Sequence, residues 1–147
     1  MLVNAAERAI GVVYATKIAG VISLFKQQFP DAKSDLKPWQ DDPETREWVD
    51  PDSIDIGFHL PGWSRRFQCR SILVQIRFFE PEGQPQKILG LEIVGFDHQG
   101  QAWKLSTVDQ WSCEGRVEPH GDIITKLQTF ARQVWELFNS SLNSSDR

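Results

Sequence analysis

The sequence predicts an α+β fold: a two-layer sandwich in which an antiparallel meander of four to five strands carries an N-terminal and a C-terminal helix on one face. Three observations lead there. Apolar residues recur at three- and four-residue steps near both ends of the 147-residue chain, which is the helical period. Between them lie runs that alternate at period two or are apolar throughout. The connections between most of those runs are short and rich in Pro, Gly and Asp, as antiparallel neighbours require.

The first element is expected from about residue 5 to 28. Asn4 and Glu7 approximate a capping box, and Ala6, Ile10, Val13, Tyr14, Ile18, Val21, Ile22, Phe25 and Phe29 form one stripe that Pro30 ends. Gly11 and Gly20 each weaken a helix by about 1 kcal/mol. They point to a close neighbour, either the chain's own sheet or a second copy across a homodimer contact along Gly11, Ala15 and Ala19. Residues 30 to 53 form a long acidic connection with four prolines and two tryptophans, Trp39 and Trp48. Loops of that length inside a compact domain are often functional.

The clearest strand follows: Ile54, Ile56, Phe58 and Leu60 alternate with Asp55, Gly57 and His59, and Pro61-Gly62 closes the run as a turn. In the second strand Ile72, Val74, Ile76 and Phe78 share a face, while Trp63, Phe67 and Cys69 have the opposite parity. That switch places a bulge near residues 69 to 71. Lys87 to Phe96 is apolar on both parities except Glu92, so this strand is central and covered on both sides. Asp97-His98-Gln99-Gly100 is a tight turn leading to the alternating Trp103, Leu105 and Thr107.

Residues 108 to 117 fit a fifth strand, an irregular crossover or a short helical turn. From Asp122 as N-cap, Ile123, Leu127, Phe130, Ala131, Val134, Leu137 and Phe138 keep helical spacing. Residues 1–139 thus read as one domain, and the polar residues 140–147 as a flexible tail.

A 40% hydrophobic and 24% charged composition is that of a globular protein. A net charge of −4 argues against binding nucleic acid or anionic membrane through overall charge. No leader or apolar span interrupts the expectation of a cytoplasmic protein without membrane contact. Cys69 and Cys113 lack zinc-site spacing and read as free thiols. The histidines His59, His98 and His120 match no metal motif. His59 lies roughly 13 Å from Asp55 along its strand, too far for a dyad, so both read as solvated polar positions. No phosphate loop, GxSxG elbow or HExxH motif is present. No cofactor, metal ligand or catalytic residue is assigned; absent motifs do not exclude an enzyme, and a non-catalytic role is the favoured expectation.

The favoured expectation is a protein-interaction module in which Trp39, Trp48 and Trp63 contact a protein partner, since Trp and Arg dominate such interfaces. The first alternative is a single-stranded nucleic-acid binder. Arg65, Arg66, Arg70 and Arg77 lie in the acid-free stretch 56 to 79, interleaved with aromatics on which bases would stack. Against it, these arginines are expected to pair with the acidic residues 31 to 55, and one on the second strand with Glu92, whose lone carboxylate needs a partner. The second alternative is a small-ligand pocket protein or enzyme, its pocket lined by Trp63, Phe67, Trp103 and Trp111.

Overall fold

A computed structural model describes residues 12–36, 53–79, 87–107 and 111–145. The cap at Asn4 and Glu7, Gly11, and the acidic stretch with Trp39 and Trp48 lie outside the described residues.

Helix α1, Val12–Gln28, ends where expected, with Phe29 N donating to the Phe25 carbonyl at 2.9 Å before Pro30 halts the helix. Its inward stripe, Ile18, Val21 and Phe25, is buried. The Phe25 ring stacks on Phe58 with centroids 3.9 Å apart and meets Phe130 edge-on at 5.1 Å. Burying such a side chain contributes roughly 1.5–3 kcal/mol, and aromatic pairs add to that.

Six strands follow: β1 (Lys33–Asp35), β2 (Ser53–Ser64), β3 (Cys69–Phe79), β4 (Lys87–Asp97), β5 (Gly100–Ser106) and β6 (Cys113–Gly115). They form one antiparallel meander in chain order. The count exceeds the expected four to five. β6 is the strand foreseen within 108 to 117, shortened to three residues, whereas β1 lies inside the acidic connection. A second correction concerns Pro61 and Gly62, which do not end β2. They sit in an irregular stretch of it, where a proline's missing N–H does no harm.

On one face the registered rows Ile54–Ile76–Leu91 and Ile56–Val74–Ile93–Leu105 are buried. Helix α2, Gly121–Ser145, helps cover that face with Ile123, Leu127, Phe130, Ala131, Val134 and Phe138. The helix begins one residue before Asp122, so Asp122 lies in its first turn rather than capping it. It also continues to Ser145, beyond the last apolar residue of the stripe. α1 and α2 pack side by side. A Cβ on Gly20 would come 3.0 Å from Leu137, so the close neighbour of Gly20 within the chain is α2 rather than the sheet. Lys17 reaches the same seam, 8% exposed. Its ammonium lies 5.2 Å from the Phe138 ring, and burial lowers its pKa.

On the opposite face the register aligns Asp55, Gln75, Glu92 and Ser106 across four strands. Asp55 is fully buried, not solvated as expected, and Gln75 and Ser106 are also buried. Position in the row explains this: Asp55 faces Gln75 in the sheet interior, where polar groups persist through hydrogen bonds. Arg77 reaches Glu92 at 3.2 Å, the partner expected for that carboxylate.

Candidate functional site

The β2–β3 and β4–β5 hairpins turn at the same end of the sheet, beside the start of α2, and the surface features of the chain gather there. Residues Arg65–Gln68 form the β2–β3 turn. Gln68 takes a left-handed φ of 56°, uncommon outside glycine. Its backbone N–H donates to the Ser64 carbonyl at 2.7 Å and its side-chain amide to the Arg65 carbonyl at 2.7 Å. The turn is tied down from below: Phe67 packs edge-on against Phe29 at 4.8 Å, and the buried Trp103 indole donates to the Phe67 carbonyl at 2.7 Å. That indole lies directly on Gly95, its cross-strand partner, where an added Cβ would come within 2.3 Å of the ring. The His120 N–H also bonds the Arg66 carbonyl at 2.8 Å.

Just before this braced turn, near the end of β2, Trp63 is 51% exposed, the one large hydrophobic side chain standing in solvent among the described residues. Arg65 beside it is exposed, and no ion pair involves it among the described residues. Arg66 pairs with Asp122 of α2, both about half exposed.

Behind the turn, strand registers break in two places. Between His59 and Ser64, β2 contributes Leu60, Pro61, Gly62 and Trp63, while β3 contributes only Arg70. β5 likewise inserts Ala102 opposite the Gly95–Phe96 step of β4. Bulges of this kind re-aim side chains and occur often beside functional sites. Between the two breaks lies an open depression of about 430 Å³ lined by His59, Leu60, Arg70, Ser71, Phe96, Asp97 and His98. Its carboxylates are already engaged. Asp97 receives Arg116 Nη2 at 2.8 and 2.9 Å and the Gln99 N–H at 2.8 Å, bonds that hold its pKa below the ordinary value. Asp35 of β1 bonds His59 Nε2 at 3.0 Å. Arg70 is exposed and pairs with no described acid.

Both cysteines are free. Burial first, then the nearby Asp97 carboxylate, pushes the Cys69 thiol up to about 12. Burial and Glu118 push half-buried Cys113 to about 12. Neither is a thiolate nucleophile near neutral pH. Among the described residues no three His, Cys, Asp or Glu side chains gather as a metal site, and no described helix is long and apolar enough to cross a membrane.

The structure thus separates the residues singled out in the sequence. Trp63 ends β2 next to Arg65 of the turn, Arg70 lines the depression, and Arg66 and Arg77 are held by Asp122 and Glu92. Most of the acidic residues 31 to 55 expected as partners lie outside the described residues. The four aromatics proposed to line one pocket do not meet there. Trp103 and Phe67 are core, Trp63 is outside, and Trp111 borders a different depression with Thr107, Arg132, Trp135 and Glu136. The grouping of His59 with Arg70, Phe96 and His98 was missed. Its signal was the parity switch before Ile72, which marks the register break but not what the break brings together.

Residues 6–140 match a protein family described as a domain of unknown function. The chain belongs to this family. No curated protein and no solved structure matches it. The match takes in the six described strands, Trp63 of β2 among them.

Proposed function

We propose that the chain is a non-catalytic protein-interaction module that docks through the β2–β3 turn, with Trp63 as the anchor and Arg65 beside it. The partner surface that fits is an apolar recess edged by carboxylates, because the turn and its flanks, residues 56 to 79, carry arginines and no acidic residue. The supporting observation is the exposure of Trp63 at the end of β2, next to a turn fixed from three sides. A large exposed aromatic side chain with only two side-chain torsions gains much on burial and loses little entropy in doing so. Trp39 and Trp48 belong to the same reading on sequence grounds. Single-stranded nucleic-acid binding ranks second, since Arg66 and Arg77 already face carboxylates.

The test is recovery of tagged wild-type chain from its native cells, with and without nuclease, beside Trp63→Ala and a Trp39→Ala/Trp48→Ala pair. The expected result is a stoichiometric, nuclease-resistant protein partner that Trp63→Ala loses while its circular dichroism is unchanged. Equal recovery by Trp63→Ala would refute the docking turn, and loss of the bound material on nuclease treatment would favour the arginines as nucleic-acid ligands.

A further inference from the structure

We propose that the depression between the two register breaks is a binding site for the phosphate group of a small phosphorylated molecule, with Arg70 as its principal ligand. This rests on the depression and not on the docking turn, so either can fail without the other.

Three features of the site support it. The volume of about 430 Å³ lies within the range of small-ligand sites. The wall is built by two independent irregularities. Four β2 residues bow out opposite Arg70, and β5 gains a residue opposite Phe96, so His59, Arg70 and His98 reach one space from three separate segments. Asp97 is held by Arg116 and Asp35 bonds His59, whereas Arg70 forms no ion pair among the described residues. The Ser71 hydroxyl and the His98 imidazole add further hydrogen-bonding groups. A phosphate monoester presents three terminal oxygens and can meet donors from three directions, where a carboxylate offers two, and arginine matches such oxygens bidentately. Leu60 and Phe96 supply an apolar side for the body of the molecule.

The experiment titrates the isotopically labelled full chain, at constant ionic strength, with inorganic phosphate, ribose 5-phosphate and a phosphoserine tetrapeptide, following the amide signals of Ser71 and His98. The expected result is saturable binding of ribose 5-phosphate at least as tight as that of inorganic phosphate. Arg70→Glu should weaken it at least tenfold and His98→Gln more mildly, while Arg65→Glu, outside the depression, should leave it unchanged. Melting temperatures of the variants confirm that each is folded. Shifts that never saturate, or that chloride reproduces, would show an adventitious ion only and overturn the proposal. So would wild-type affinity in Arg70→Glu, or a tetrapeptide that binds tenfold tighter than the sugar phosphate.

Discussion

Replacing Gly95 by alanine probes the joint between the core and the docking turn. The new Cβ would fall 2.3 Å from Trp103 Cε2 and 2.6 Å from Nε1, distances no real contact allows, so the indole must move. Trp103 is fully buried and its ring has no free volume to enter. Overpacking of this kind costs about 1–3 kcal/mol. Displacing the indole also breaks its 2.7 Å bond to the Phe67 carbonyl, and a buried donor or acceptor left without a partner costs about 1–3 kcal/mol more. The sum is about 2–6 kcal/mol. With a urea slope of about 2 kcal/mol per molar, the unfolding midpoint should fall by about 1–3 M in far-ultraviolet circular dichroism. The Trp103 indole N–H, protected from exchange in the wild type, should exchange faster in the variant. A midpoint within about 0.25 M of wild type, with that N–H still protected, would refute the idea that the indole rests on Gly95 and braces the turn.

Trp103→Phe removes the same bond without overpacking; amide exchange at residues 65 to 68 should accelerate more than exchange in β3 or β4. Phe25→Ala empties the contact shared by α1, β2 and α2 and should cost about 3–5 kcal/mol in denaturant titration. Because Asp97 has its pKa lowered mainly by Arg116, the pair's contribution is present above the ordinary value of 3.8 and lost as pH falls through the lower folded value. Arg116→Ala should therefore show a flatter loss of stability on acidification from about pH 5. The thiols behave oppositely: raised from 9.0 to about 12, they contribute stability that is full below 9.0 and declines as pH rises towards 12. Cys69→Ala should flatten that alkaline decline in melting scans, and both thiols should be alkylated far more slowly at pH 8 in the native protein than in urea.

What the sequence made legible follows from where the stabilising contacts are local. The stripe of α1 up to Phe29, the alternation from Ile54 to Phe58 and the Asp97–Gly100 turn, with Gly100 at φ 105°, carry their signals in neighbouring residues. β1 does not. Lys33, Ser34 and Asp35 have no apolar alternation, and their strand exists because it pairs with residues 57 to 59 of β2, a contact set by tertiary position. Missing β1 also meant missing Asp35 as the partner of His59. Burial of Asp55 was hidden for a similar reason, since a carboxylate on a nominally polar parity looks solvated until its row across the sheet is known. Trp63 was singled out and is exposed, yet Phe67, four residues on and equally aromatic, is core. Only the direction of the turn distinguishes them.

The meeting of Phe25 with Phe130 has a bearing on biosynthesis. Every strand of the meander pairs with its neighbour in sequence, so hairpins can zip locally and quickly while the chain is still being made. The apolar side of the finished sheet, however, is sealed partly by α2, the last described element to leave the ribosome. Until then Ile56, Val74, Ile93 and Leu105 form a sticky open surface on a nearly complete sheet. Translation stalled before about residue 121 should thus yield a species that chaperones hold or that aggregates, and refolding in the test tube should turn on the late docking of that helix.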